Sequence, residues 1–339
     1  MRLLYFNPEN DLALASNDPH YTPPASARQM AEDLRDFPRM WNVERDIVLP
    51  WGWSPLAVTR LRAMGVVESL LPSPSQLEAY RHFASRQTAV RLLKKVREQL
   101  SSLFEASKLV GESSWCCSEE EVFEACGRYG ASMLKMPWSG SGRGVRPVGE
   151  GALCQKDLDW VRRCLQRQGG VEVEPKYNKV QDLAMEFWAE EGRVRYEGLS
   201  LFDTTAGGVY AGNLVASEQL KLERLSRLVA SEVVEEVRRC LIGVLSAADI
   251  PQWYTGPLGV DMMVVAPHPS SIAHPSGTES PLEQGDAFSL HPLVEINLRM
   301  TMGWVALRLQ QNLLPGELGT FKIVCSNGRY SALFIKKGV

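Results

Sequence analysis

The sequence predicts a mixed α/β and α+β fold, in which a small unit with a parallel sheet precedes two larger units. Two short apolar strands, at residues 3–6 and 46–50, each run into a polar or glycine-containing turn and then a helical stretch, as parallel sheets do. Beyond the chain break at residues 72–74, strands and helices alternate up to a hairpin signal at Asn327-Gly328. We therefore predict three regions, at residues 1–74, 75–170 and 171–339.

The composition is that of a soluble globular enzyme. The chain has 339 residues, of which 45% are hydrophobic and 23% charged, and its formal net charge is -3. It has no long basic run and no apolar run of membrane-spanning length, so we expect neither nucleic acid nor a membrane as partner. Its first residues turn polar too early for a signal peptide, which predicts a cytoplasmic location. The 7 cysteines and 5 histidines do not occur at the spacings typical of zinc ligands, so we expect no zinc site.

Helices are predicted where capping residues precede amphipathic stretches. Residues 75–78 have capping-box spacing, so a helix should begin there and continue to about residue 94. Residues 118–121 repeat this spacing before a helix that should end near Gly130. Two further helices are predicted at residues 157–168 and 217–247.

Strands are predicted at apolar or alternating stretches. They are expected at residues 131–137, 171–175, 183–188, 194–202, 259–265, 293–299, 321–325 and 330–335. The segment 267–289 is rich in Pro, Ser and His and has no periodicity, so we predict a long excursion there, either a lid or a tolerated loop. The polar, glycine-rich residues 202–213 are expected to form a loop, which either recognises an acceptor substrate or merely connects two elements.

The strand at residues 293–299 carries an unusual set of polar groups. Alternation places Glu295, Asn297 and Arg299 on one face, opposite the apolar Val294, Ile296 and Leu298. These groups are costly on a half-buried surface unless something fills the space between them, and a hydrated Mg²⁺ bridging to phosphate oxygens would do so. A strand with an ordinary Glu/Arg pair on its outer face fits the same pattern.

A glycine-rich loop follows the strand that contains Lys135. In residues 138–145 alternating glycines allow backbone N–H groups to approach phosphates, and the lysine supplies a point charge. The spacing is neither that of a Walker A loop nor that of a dinucleotide fingerprint. A Gly/Ser hairpin turn explains the loop equally well. Just past the first two strands, Glu9, Asp11 and the pair Trp51/Trp53 are candidates for a substrate pocket, or plain turn and packing residues.

These motifs occur in an order that resembles the ATP-grasp superfamily, of the ATP-dependent carboxylate-amine ligase type. The order is a strand lysine, a glycine-rich loop, an acidic strand end at residues 172–175, Asp261 in a strand, and Glu295-x-Asn297-x-Arg299. The resemblance covers roughly residues 75–320. It implies two α+β subdomains that grip a nucleotide, preceded by a small α/β parallel-sheet domain.

The resemblance also implies roles for individual residues. Lys135 would contact the α and β phosphates, and the loop would fold over the β and γ phosphates through Ser139, Gly140, Ser141, Gly142, Arg143 and Gly144. The adenine and ribose would be held by the hinge residues Glu174, Pro175, Lys176 and Tyr177 and by Asp182. One or two Mg²⁺ ions, or Mn²⁺ instead, would be bound by Asp261, Glu295 and Asn297, and Arg299 would stabilise charge on the transferred group.

One departure from the family concerns its second phosphate-binding lysine. At about that position this chain has Ser85-Arg86, and we expect Arg86 to bind the same phosphate in a bidentate way. Lys94 and Lys95 are alternatives, and all three residues are equally consistent with the exposed face of an amphipathic helix.

The activity that the resemblance implies is ATP- and Mg²⁺-dependent ligation of a small-molecule carboxylate to an amine. The reaction would pass through an acyl phosphate and release ADP and phosphate, with Lys135 and Arg299 as catalytic residues. An ATP-dependent phosphotransferase and a non-catalytic nucleotide-binding regulatory module are the alternatives. The sequence predicts no particular oligomeric state.

Overall fold

A computed structural model describes residues 2–105, 108–140, 144–151, 153–205, 207–267 and 288–337. The strands are β1 (Leu3–Tyr5), β2 (Val48–Pro50), β3 (Ser114–Cys116), β4 (Ser132–Lys135), β5 (Val145–Val148), β6 (Val171–Pro175), β7 (Lys179–Glu190), β8 (Arg193–Thr204), β9 (Tyr210–Val215), β10 (Gly256–Val265), β11 (Ser289–Asn297), β12 (Leu318–Ser326) and β13 (Arg329–Lys337). The helices are α1 (Asn10–Ser16), α2 (Ala25–Asp33), α3 (Pro55–Ala63), α4 (Pro74–Phe83), α5 (Arg86–Leu100), α6 (Glu119–Tyr129), α7 (Gln155–Gln168), α8 (Glu218–Leu225), α9 (Ser231–Ala247), α10 (Ile250–Trp253) and α11 (Met302–Gln310). Short 3₁₀ turns occupy Phe37–Trp41 and Glu68–Leu70.

Three sheets organise the chain. Strands β1 and β2 form a parallel pair near the N-terminus. An antiparallel 4-stranded sheet has the order β3-β6-β4-β5. An antiparallel 7-stranded sheet has the order β11-β10-β7-β8-β9-β12-β13. The predicted fold class, a small parallel-sheet unit followed by two α+β units, is confirmed.

The large sheet has helices on one face and polar side chains on part of the other. In β7, Leu183, Met185 and Phe187 are fully buried and belong to the main core with α5 and α9. Helix α5 forms here because Ser85 caps its N-terminus and its apolar residues recur every three or four positions. The residues that alternate with this buried set point to the opposite face.

The N-terminal unit packs against the end of the large sheet through aromatic side chains. Phe37 stacks on Phe321 with ring centroids 6.0 Å apart, and Trp41 and Trp51 complete the contact in a second core with Trp304. Burying each such ring contributes on the order of 2 to 3 kcal/mol. This packing brings α1 close to the face of the sheet that carries the polar residues, as the site contacts below show.

Several predicted elements have the expected limits. Ser118 caps α6, which ends before Gly130, and α7 ends at Gly169. The hairpin between β12 and β13 turns at Asn327 and Gly328, whose φ values of 52° and 73° are both in the left-handed region that this two-residue turn requires.

The two longest predicted helices are each divided in the structure. The helix expected from residue 75 to 94 is α4 followed by α5, and its capping box uses Ser73 and Gln76, because Pro74 takes the first helical position. The helix expected at residues 217–247 is α8 followed by α9. The break lies at Ala230, whose backbone is extended with φ −56° and ψ 139° just before α9 begins.

Two segment predictions are also corrected. Residues 202–213 are mostly strand, since they include the end of β8 and the start of β9. Strand β6, which was predicted to begin the last region, pairs with β4 in the 4-stranded sheet, and the predicted division of the chain into three regions stays a prediction. Most of the predicted excursion, residues 268–287, lies outside the described residues. In the part of the chain that the structure describes, we find no helix long and apolar enough to cross a membrane.

Candidate active site

The alternation predicted for the strand at residues 293–299 is present only in its second half. Val294 is partly buried and lies outside the main core, whereas Leu293 is buried there, because the pairing with β10 is irregular between Asp261 and Met263. Ile296 and Leu298 are buried in the main core, while Glu295 and Asn297 point to the opposite face. In the neighbouring strand β10, Asp261 lies directly opposite Glu295, and Gly259 lies opposite Asn297. Strand β11 ends at Asn297, so Arg299 lies just beyond it, in the turn that leads to α11.

Arg86 joins the two halves of the site. It begins α5 and is only 4% exposed. Its Nη2 lies 2.9 Å from Glu295 Oε2 and donates to Ser139 Oγ at 3.4 Å, while its Nε donates to the Met136 carbonyl oxygen at 3.1 Å. The alternative cations Lys94 and Lys95 are exposed on the outer face of α5. The structure therefore brings Arg86, and neither lysine, to the predicted phosphate site.

Lys135 is buried among acids from the neighbouring strand. Its Nζ lies 2.7 Å from Glu174 Oε1 and 3.8 Å from Glu172 Oε2. In β6, Val171 and Val173 face the core of the smaller sheet, so Glu172 and Glu174 both face the site. The structure thus pairs Glu174 with Lys135 and adds Glu172, while the role of Glu174 at an adenine stays a prediction.

The glycine-rich loop begins and ends close to these charged groups. Ser139 is buried, and the Gly144 carbonyl oxygen accepts a hydrogen bond from the Met136 N–H at 2.8 Å, which closes the base of the loop. A Cβ on Gly144 would lie 2.3 Å from Cβ of Ser139, so only glycine fits there. The loop residues Ser141, Gly142 and Arg143 lie outside the described residues.

The N-terminal helix α1 reaches the same place. Asp11 accepts two hydrogen bonds from Arg299, at 2.9 Å from Nε and 3.0 Å from Nη2, and a Cβ on Gly140 would lie 2.5 Å from Asp11 Oδ2. Residues of α1, of the loop base and of the segment 295–299 line a small open cavity. Of the other pocket candidates, Glu9 is buried and paired with Arg60, and Trp51 and Trp53 are core residues.

The predicted hinge follows β6. Pro175 ends the strand, and the Lys176 N–H donates to the Ala131 carbonyl oxygen at 2.8 Å. The Tyr177 hydroxyl accepts a hydrogen bond from the Glu112 N–H at 2.8 Å, and burial raises the pKa of Tyr177 to about 12. Asp182 lies within β7 rather than in a turn.

Asp182 already has partners in the structure. Its Oδ2 accepts hydrogen bonds from Lys179 Nζ at 2.6 Å and Thr204 Oγ1 at 2.7 Å. It lies opposite Met263, two residues along β10 from Asp261, and so shares the polar face of the sheet. Asp182 thus lies on the same face of the sheet as Asp261, while its role at a ribose stays a prediction.

Burial makes the carboxylates of the site hard to ionise. It raises the pKa of Asp261 to about 7, with the facing Glu295 carboxylate adding to the effect, and it also raises the pKa of Glu295 although Arg86 opposes this. Burial likewise raises the pKa of Glu174 to about 7 despite the nearby Lys135. Two partly buried carboxylates that face each other favour a cation between them.

The donor set fits a hard divalent cation. Asp261, Glu295 and Asn297 offer two carboxylates and an amide oxygen on adjacent strands, which is the oxygen chemistry that Mg²⁺ prefers. Among the residues that the structure describes, no three His, Cys, Asp or Glu side chains form a metal cluster. The asparagine is therefore needed to complete this set.

Comparisons with known proteins gave structural similarities only, since the sequence matches no protein-family model and no curated protein. The chain is similar to an N5-carboxyaminoimidazole synthetase from Staphylococcus aureus complexed with ADP (12% identity, 95% of this chain, 82% of that chain, TM-score 0.47). It is also similar to a biotin carboxylase from Campylobacter jejuni, with 13% identity over 98% of this chain and 80% of that chain and a TM-score of 0.46. A third similar structure is an L-amino acid ligase from Bacillus licheniformis, with 12% identity over 88% of this chain and 65% of that chain and a TM-score of 0.42. Because all these TM-scores are below 0.5, we base the functional proposal on the contacts of the site.

Two buried groups near the site were missed at the sequence level. Glu186 is 1% exposed on the polar face of β7, directly opposite Gly259, and burial raises its pKa to about 8. His291 in β11 is fully buried against the Tyr177 ring, and burial lowers its pKa to about 3. Alternation in β7, which puts Asp182 and Glu186 on one face, is a signal that would have identified the first.

Proposed function

We propose that the chain is an ATP-grasp enzyme, a Mg²⁺-dependent ligase that joins a carboxylate to an amine at the expense of ATP. The observation that carries the proposal is the position of Arg86 between Ser139 of the glycine-rich loop and Glu295 of the predicted metal strand. It joins a phosphate-binding motif to an oxygen-rich sheet face, although the three segments lie far apart in the sequence.

Each charged group has a task in this proposal. Lys135 and Arg86 would exchange their present carboxylate partners for phosphate oxygens, for which both cations are well suited. Asp261, Glu295 and Asn297 would hold Mg²⁺, which supplies charge neutralisation when bound.

The proposed reaction needs no nucleophile from the protein. A carboxylate oxygen attacks the γ-phosphorus, the bond to the β–γ bridging oxygen breaks, and ADP leaves with that electron pair. The amine then attacks the acyl carbon, phosphate departs with the C–O electron pair, and the amine nitrogen loses a proton. Arg299, which borders the cavity, would stabilise charge on the transferred group. Positioning and charge neutralisation supply the acceleration.

Product analysis tests this function. The full chain is incubated with ATP, Mg²⁺ and a panel of small carboxylates and amines, and we expect free phosphate in proportion to a new amide. A stable phosphorylated product would instead indicate a phosphotransferase. Absence of ATP turnover despite ATP binding would indicate the regulatory module.

Two substitutions test the site itself. Glu295→Gln should abolish turnover and leave the fold intact, whereas Glu78→Gln on the exposed face of α4 should change nothing. Lys135→Ala should weaken ATP binding at least about tenfold in calorimetry, whereas Lys94→Ala should not. Wild-type activity in the Glu295 variant, or wild-type affinity in the Lys135 variant, would contradict the assignment.

A further inference from the structure

One acid of the site has no role in the proposed reaction. Glu172 is the second residue of β6, lies directly opposite Lys135 in β4, and is 2% exposed. Its Oε2 lies 3.8 Å from Lys135 Nζ and 3.9 Å from Arg86 Nε. It therefore lies between the two cations that the proposed function assigns to the phosphates.

The Glu172 carboxylate is held in place from its other side. Its Oε1 accepts a hydrogen bond from Ser113 Oγ at 2.8 Å, just before β3. Strands β3 and β4 flank β6 on both sides, so the backbone of Glu172 is fixed as well. The carboxylate is therefore held beside Lys135 and Arg86 by Ser113 and by both flanking strands.

The other acids of the cluster differ from Glu172 in what they face. Glu295 lies opposite Asp261, among the predicted metal ligands. Glu174 lies two residues further along β6, next to the predicted hinge. Glu172 alone among these acids approaches both cations within 4 Å. A phosphate that takes either cation must therefore compete with it.

We propose that Glu172 is a built-in counter-anion, which competes with nucleotide phosphates for Lys135 and Arg86 and so weakens nucleotide binding and favours ADP release. This inference rests on the proposed function. Its physical basis is the strength of charge interactions at buried sites, where a fixed carboxylate beside a polyphosphate repels it and also binds the same cations. Without a ligand, the same carboxylate lowers the cost of burying two cations side by side.

The test is the affinity of the full chain for MgADP, measured by calorimetry. Glu172→Gln removes the charge and keeps a group that can bond to Ser113, so it should tighten MgADP binding at least about tenfold. Glu172→Met removes the same charge and also the hydrogen-bond acceptor for Ser113, and it should tighten binding in the same direction.

A merely structural role for Glu172 predicts the opposite result. If the acid only anchors Lys135 and Arg86, both neutral variants should lose affinity because the two cations become disordered. Equal or weaker MgADP binding in both variants, measured beside a wild type that binds, would overturn the inference and leave the proposed function standing. A wild type that binds no MgADP would overturn the proposed function itself.

Two matched variants control for charge and geometry. Glu112→Gln removes an exposed acid near the same end of the sheet and should leave the MgADP affinity within about threefold of wild type. Glu172→Asp keeps the carboxylate and should not tighten binding. Tightening by the aspartate variant would show that side-chain volume, rather than charge, limits affinity, and would contradict the proposal.

Discussion

Replacing Arg86 by methionine tests the contact that joins the two halves of the site. The substitution removes the 2.9 Å ion pair with Glu295, the 3.9 Å approach to Glu172 and the hydrogen bond to the Met136 carbonyl oxygen. Breaking a buried ion pair by deleting one partner costs about 3–5 kcal/mol. The Arg86 side chain is 5% exposed but that of Glu295 is 22% exposed, so we expect the lower end of this range, about 3 kcal/mol.

The cost of the Arg86 substitution should depend on pH in a defined direction. Burial already raises the pKa of Glu295, and Arg86 opposes that rise, so losing Arg86 raises the pKa further. An acid whose folded-state pKa lies above its unfolded value loses stability as pH rises through that interval. The variant should therefore lose more stability at pH 8 than at pH 5.5.

Denaturant unfolding followed by circular dichroism at the two pH values measures this difference. Arg91→Met, on the exposed face of the same helix, is the matched control and should cost less than about 0.5 kcal/mol. Arg86→Lys keeps the charge but loses the fork geometry, so it should be folded and bind ATP about tenfold more weakly. If Arg86→Met costs no more than Arg91→Met at both pH values, Arg86 does not hold the site together.

Three further predictions concern residues in or near the site. Because burial raises the pKa of Glu186 to about 8, the wild type should lose stability between about pH 4.5 and 8, and Glu186→Gln should flatten that loss in unfolding curves. Burial lowers the pKa of His291 to about 3, so the wild type should lose stability as pH falls below about 6.5. His291→Phe should reduce this loss. An unchanged dependence of unfolding free energy on pH would contradict the assignment. Gly140→Ala places a Cβ 2.5 Å from Asp11 Oδ2, so turnover should fall at least about tenfold while the midpoint of denaturant unfolding changes little. Full activity in this variant would show that Asp11 and Arg299 are not held against the loop.

Local sequence patterns were sufficient to predict many helices, strands and turns, and part of the strand that carries the predicted metal ligands. Alternation in β11 predicted that Ile296 faces the core and Glu295 the site, because successive strand residues point to opposite sides. It failed at Val294, beside the irregular pairing with β10. The Asn327-Gly328 turn and the Ser118 cap were likewise predicted, since both depend on backbone geometry within a few residues.

Other features depended on contacts that no local pattern contains. Two predicted helices are divided, one where Ser85 caps the start of α5 and one at the turn after Leu225. Apolar residues continue at helical spacing across both breaks, so the sequence pattern predicted a single helix in each case. The strand at residues 171–175 was predicted with its correct limits, but its place beside β4 depends on sheet order.

The sequence by itself determined the residue types of the site and the faces on which they lie. Only the tertiary structure decided which charges meet: Arg86 with Glu295 rather than with solvent, Glu172 between two cations, and Arg299 with Asp11, 288 positions apart in the chain. The physical reason is that alternation and capping act over a few residues. Pairing of buried charges depends instead on which strands become neighbours, and on the cost of leaving any of those charges without a partner.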